Sequence, residues 1–150
     1  MNKKTIYITS IEDVIEIHKK TVEISGGGSV GIINTHSLEA ALELIQNDNY
    51  YPQFIDKLVH LVYVVNKSHS FIDGNKRIAI SLGMKFLLDN GYLGIIQKFA
   101  HKMEMVSYQL AAGRIDKDLL YEIMNSILYE EEYSDSLKIK IANSIKRNNE

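Results

Sequence analysis

A single proline, Pro52, stands in a chain of 150 residues. Along most of that length apolar side chains recur at three- and four-residue intervals, the period of an α-helix. Proline has no N–H and breaks helix interiors, so its near absence leaves long helical runs intact. The pattern predicts an all-α domain, a compact helical bundle with a short N-terminal loop or hairpin.

Lys4–Thr9 reads as a short strand or an extended lead-in. Ser10 then opens a first helix, with Asp13 placed three residues on in the manner of a capping box. Its apolar face is Ile11, Val14, Ile15, His18 and Val22, and Gly26–Gly28 end it. Residues 26–34 are expected to form a flexible loop or small hairpin. Leu38, Ala41, Leu42 and Ile45 mark a second helix capped by Ser37. Pro52 suits the first turn of a third, where a missing N–H costs nothing. That helix carries Phe54, Leu58, Val59, Leu61, Val62, Val64 and Val65. It is apolar almost all round, so it is expected to be central and buried.

A fourth helix is expected over 75–90, with Ile78, Ala79, Leu82, Phe86 and Leu87 inward and Gly91 beyond its end. A fifth runs over 97–112 and stops at Gly113. Asp116 caps a sixth, with Leu119, Leu120, Ile123, Met124 and Ile127 inward. The acidic run Glu130–Glu132 reads as a boundary. A last helix from Ser134 presents Leu137, Ile141 and Ile145. The chain thus divides into a principal unit, 1–128, and an acidic turn plus C-terminal helix, 129–150, packed on the same domain.

Composition narrows the function. The length fits one domain with a proper core. A formal net charge of −2 does not favour bulk nucleic-acid binding, and no direct contact with nucleic acid is expected. The absence of cysteine removes disulfides, a thiolate nucleophile and cysteine-based zinc sites, and fits a reducing cytoplasm. Glu12 and Asp13 interrupt the short apolar run behind Lys3 and Lys4, so no signal peptide is expected. No stretch approaches the ~18 apolar residues of a membrane span.

The chemistry concentrates in His69-Ser-Phe-Ile-Asp-Gly-Asn-Lys-Arg77. His69 can serve as a general base near neutral pH. Asp73 is a hard oxygen ligand suited to Mg²⁺, or a helix cap; one role does not exclude the other. Gly74 lets backbone approach a phosphate. Asn75, Lys76 and Arg77 fall on the first turn of the fourth helix, whose free N–H groups and dipole favour an anion. Lys76 and Arg77 diverge by ~100° around that helix. Arg77 can clamp phosphate oxygens bidentately while Lys76 adds a point charge. Phe71 is read as the anchor that fixes the loop.

This stretch resembles the signature of the Fic/Doc superfamily, H-x-F-x-[D/E]-G-N-G-R in Fic enzymes and H-x-F-x-D-[G/A]-N-K-R in the death-on-curing (Doc) branch. His69, Phe71, Asp73, Gly74, Asn75, Lys76 and Arg77 fill every fixed position of the Doc form. Lys76 replaces the Fic glycine, and Ile80 stands where Fic enzymes carry a second arginine. Upstream, Gly26-Gly-Gly-Ser-Val-Gly-Ile32 and Leu38-Glu-Ala-Ala-Leu42 resemble the G-G-x-x-G-I…L-E-S-A-L segment of Doc-like proteins. The arginine and aspartate usual after that Gly-Ile are Ile33 and Asn34 here. The resemblance spans roughly residues 5–125.

The resemblance implies an ATP- and Mg²⁺-dependent protein kinase, the toxin of a toxin–antitoxin pair. It would transfer the γ-phosphate to a hydroxyl of elongation factor Tu and arrest translation. His69 would be the base, Asp73 the Mg²⁺ ligand, and Gly74, Asn75, Lys76 and Arg77 the phosphate contacts. Lys76 would bind the nucleotide in the sense that presents the γ-phosphate rather than AMP. The 26–34 segment would be a flap pairing with an extended stretch of the protein substrate. An antitoxin helix would silence the site in trans. Two alternatives stand beside this: a Fic-type protein nucleotidyltransferase, and a non-catalytic all-α binding module. Some Fic proteins also carry an inhibitory [S/T]-x-x-x-E-[G/N] helix. Ser126-Ile-Leu-Tyr-Glu130 matches its first part, but Glu131 follows, and an acidic surface turn accounts better for Glu130. His18, His36, His60 and His101 lack metal-ligand spacing, and His18 and His60 read as core or rim residues.

Overall fold

The computed structural model describes residues 4–24, 34–68 and 75–147. Among them lie seven helices: α1 (Ile11–Ile24), α2 (His36–Leu44), α3 (Phe54–Lys67), α4 (Asn75–Asp89), α5 (Ile96–Ala111), α6 (Lys117–Tyr129) and α7 (Asp135–Arg147). No strand occurs among the described residues, and Lys4–Ser10 is a lead-in without regular secondary structure. The protein is all-α, as its periodicity predicts. The 26–33 part of the expected flap or hairpin lies outside the described residues, as does the side chain of Val22.

Helix α3 is the hub, packed against α2, α4, α5 and α6. Ile55, Leu58, Val59, Leu61, Val62 and Val65 are all buried. Fully burying side chains of this size stabilises by about 1.5–3 kcal/mol each. Helix α4 lies beside α3, with Ile78, Ala79, Leu82, Phe86 and Leu87 buried. Its glycine, Gly83, faces Phe99 of α5 and Val62 of α3. Helix α1 packs on α4, and α7 lies on the outside of α6.

Aromatic contacts set the direction of the central pair. Phe54, at the start of α3, stacks at 4.8 Å on Phe86, near the end of α4. The two helices are therefore antiparallel, and the α3–α4 connection sits at the other end. Tyr7 of the lead-in stacks on Phe86 at 6.2 Å. The Asn90 side chain accepts from the Ile6 N–H at 2.8 Å and donates to the Ile6 carbonyl at 2.9 Å. One amide thereby pins the lead-in by both of a residue's backbone groups.

The helix ends follow local chemistry. Past α4, Gly91 has φ +89°. The Tyr92 N–H bonds the Leu87 carbonyl and the Gly91 N–H bonds that of Leu88, a Schellman closure. Gly113, at φ +77°, closes α5 in the same way, with Arg114 bonding Gln109 and Gly113 bonding Leu110. Asp116 caps α6 through the Leu119 N–H at 2.8 Å, and Ser134 caps α7 through Leu137 at 3.1 Å.

Two expected starts shift, and at α1, which begins after Ser10 as expected, the side-chain bonding differs. Ser10 bonds Glu12 at 2.9 Å rather than forming a box with Asp13. Thr35, not Ser37, precedes α2. Pro52 lies outside α3, whose cap is Gln53 in a capping box with Asp56. At α3 the Gln53–Asp56 box takes the place that composition gave to the proline, whereas Thr35 makes no side-chain cap bond at α2.

Candidate functional site

The end of the bundle formed by the α3 C-terminus and the α4 N-terminus carries the motif. Helix α3 is held there by a buried amide: Asn66 Nδ2 donates to the Ser107 carbonyl of α5 at 3.1 Å. Ser68 closes the helix, its Oγ donating to the Val65 carbonyl at 3.1 Å. On the far side of the connection, buried Ile78 and Ala79 lock the first turn of α4 into the core. Both flanks of the connection are thus fixed by packing, a rigid setting for a site.

His69, Phe71, Asp73 and Gly74 lie outside the described residues. Asn75, Lys76 and Arg77 form the start of α4, Asn75 half-buried and both cations exposed. The first turn of α4 contains no acidic residue. Helix N-termini ordinarily favour acids and disfavour cations, because the dipole is positive there. Two adjacent cations on that end concentrate positive potential where backbone N–H groups already point outward. This is an anion-attracting arrangement, and its chemistry fits a polyphosphate. A carboxylate at Asp73 fits Mg²⁺, which is commonly held through one or two carboxylates plus substrate phosphates. Ile80, one turn further along, packs partly buried against the core.

The Ser126–Glu130 pair is directed elsewhere. Tyr129 Oη lies 3.3 Å from Tyr92 Oη, just past the C-terminus of α4. The Glu130 carbonyl accepts from Lys98 in the first turn of α5. A 15-residue α4 spans roughly 22 Å, so Glu130 sits toward the opposite end from Lys76 and Arg77. The Ser126 hydroxyl turns to the Glu132 carbonyl at 3.5 Å. This arrangement describes an acidic turn.

The remaining histidines divide as their helix faces suggest. His18 is fully buried and His60 half-buried, whereas His36 and His101 are exposed. No group of three or more His, Cys, Asp or Glu residues is placed to hold a metal among the described residues. No described helix is long and apolar enough to cross a membrane.

Sequence reasoning missed the supports. Lys57 is 2% exposed, and its ammonium donates to the Ile45 carbonyl at 2.7 Å and to Asp48 at 2.8 Å. Burial alone would lower its pKa; the hydrogen bonds to Asp48 and Tyr7 outweigh that and raise it. A cation on the apolar side of α3, among Ile55, Leu58 and Leu61, was the available signal. Asn66 gave a similar one, an amide on the buried side of α3.

The model of the Fic/DOC family matches residues 7–87. The chain belongs to the Fic/Doc family. The match takes in α1–α4 to Leu87, and so includes the whole of His69–Arg77. No curated protein matches the chain. Fic/Doc proteins generally transfer nucleotide-derived groups to other proteins, using ATP and a metal.

Proposed function

We propose that this Fic/Doc protein is a Doc-type phosphotransferase, which moves the γ-phosphate of ATP to a hydroxyl of a protein. The observation that carries this reading is Lys76. It fills the position of the Fic glycine, at the cation-rich, acid-free start of α4. In that place its side chain occupies space that a glycine would leave open to phosphate.

The residues divide the labour as follows. His69 takes the proton of the target hydroxyl while that oxygen bonds to the γ-phosphorus and the bond from phosphorus to the bridging β-oxygen breaks. ADP leaves with the electron pair of that bond. Gly74, Asn75, Lys76 and Arg77 hold the phosphates and counter their charge, the main contribution a protein makes to phosphoryl transfer. Asp73 would hold Mg²⁺, which when bound neutralises phosphate charge. Phe71 anchors the loop.

We assign catalysis to residues 1–128 and read 129–150 as an acidic turn and helix added to that unit. By the same resemblance the protein acts in the cytoplasm as the toxin of a toxin–antitoxin pair. Its substrate is elongation factor Tu, its effect translation arrest, and its silencing partner an antitoxin.

Two substitutions test the assignment. His69→Ala should abolish transfer while leaving ATP binding and helical content largely intact; retained labelling of the target would remove the base. Lys76→Gly should weaken γ-phosphate transfer and admit some AMP transfer. An unchanged labelling pattern would show that Lys76 does not set the nucleotide's orientation.

A further inference from the structure

A second chemically distinctive centre lies on the α3–α6 face, at the first turn of α6. Lys117 Nζ is 2.8 Å from His60 Nδ1. The rings of Tyr51 and Tyr63 stand 5.8 and 5.6 Å from the same nitrogen, and the Tyr51 and His60 rings lie 4.7 Å apart. Lys117 forms no carboxylate ion pair within the described structure, unlike Lys57, Lys85 and Lys140. The amine opens onto a cleft of about 490 Å³ walled by Tyr50, Tyr51, Val59 and Tyr121. A lysine held among rings, against an imidazole and at the mouth of a cleft differs from the other lysines of the chain.

We propose that Lys117 is a reactive amine, a modification site for small activated acyl donors of the acyl-phosphate or acyl-thioester class, with His60 as the proton acceptor. The neutral amine attacks the acyl carbon and the N–C bond forms. The bond from that carbon to the phosphate oxygen or thiol sulfur breaks, and the leaving group departs with the electron pair. The proton lost from nitrogen goes to His60 Nδ1. The product is an amide, and Nζ loses its charge and its place over the two tyrosine rings.

The electrostatics agree with the geometry. Burial, followed by the neighbouring Lys117 charge, pushes His60 down to about 4, so its ring is neutral and able to accept at neutral pH. Burial lowers Lys117 from the usual lysine value, with Asp118 acting in the opposite direction. The charged groups around the cleft are Asp56 on α3 and Asp118 and Glu122 on α6. Glu122 is engaged by Lys140 of α7 at 2.7 Å, and Asp56 in the α3 capping box.

The test treats the full chain with acetyl phosphate over a pH series and reads each lysine by peptide mass spectrometry. Lys117 should acetylate severalfold faster than exposed Lys19, Lys20 and Lys138, because burial leaves more of it as the neutral amine and His60 takes its proton. Its rate should reach half-maximum at lower pH than theirs. His60→Gln should slow Lys117 acetylation, with folding checked by circular dichroism. A Lys117 rate at or below the surface lysines overturns the proposal, as does an unchanged rate in folded His60→Gln. Should that variant not fold, the wild-type rates and their pH midpoint decide alone.

Discussion

Gly83→Ala adds one methyl group where the site-bearing helix packs against α3 and α5. A Cβ at Gly83 would stand 2.8 Å from Phe99 Cζ, 3.1 Å from Phe99 Cε1 and 3.2 Å from Val62 Cγ2. Non-bonded carbons are at ease near 3.5–4.0 Å, so all three contacts are short. Phe99 and Val62 belong to different helices and are both 0% exposed, so neither ring nor methyl has open space to enter. Overpacking of this kind costs about 1–3 kcal/mol. Replacing glycine by alanine inside a helix returns about 1 kcal/mol. The balance is a loss of about 1 kcal/mol, which for this chain length lowers Tm by roughly 2–4 °C. Urea and thermal unfolding followed by far-UV circular dichroism would measure it. Phe99→Leu in the same chain should recover part of the loss, since the two sites are in contact and couple. A Gly83→Ala protein as stable as the parent, or more so, would refute the close α3–α4–α5 packing on which the placement of the motif depends.

Other expectations follow from named contacts. Lys76→Glu should stabilise the protein in the absence of nucleotide by about 0.5–1 kcal/mol at low salt, because an acid replaces a cation at a helix N-terminus. The same variant should lose the thermal stabilisation given by Mg²⁺ and ATP; a less stable unliganded variant would contradict this. For His60 the folded pKa of about 4 lies below the ordinary 6.5. The unfolded chain therefore binds the extra proton in that window, and stability falls as pH drops from about 6.5 toward 4. His60→Gln should flatten that part of the profile, measured by urea unfolding; an unchanged slope would place the effect elsewhere. Asn90→Ala removes both backbone contacts to Ile6. Backbone amides of the lead-in should then exchange hydrogen faster, while those of α3 stay protected.

The sequence made the helices legible because their apolar faces are regular. Leu38, Leu42 and Ile45, or Leu119, Leu120, Ile123, Met124 and Ile127, are buried just where period alone places them. Gly91 and Gly113 announced helix ends because few other residues take a positive φ. The starts were less legible. Ser10 stands directly before α1 as expected, but Ser37 lies inside α2 and Pro52 outside α3, where Gln53 and Asp56 form the box, and composition does not rank such neighbours. At the site, residue types alone marked His69–Arg77, because a histidine, a carboxylate and two cations cluster at one helix start. Its supports were not legible in that way. Asn66 meets Ser107 across 41 positions, and His60 meets Lys117 across 57. Only the packing of α3 against α5 and α6 brings them together.

The account turns on which phosphorus leaves ATP. Purified protein, Mg²⁺ and a bacterial lysate, supplied in parallel with ATP labelled at the α or the γ phosphate, would show it directly. The account predicts a labelled protein from γ-labelled ATP alone, with the signal lost in His69→Ala. Label arriving from the α position would contradict it and make the protein a nucleotidyltransferase.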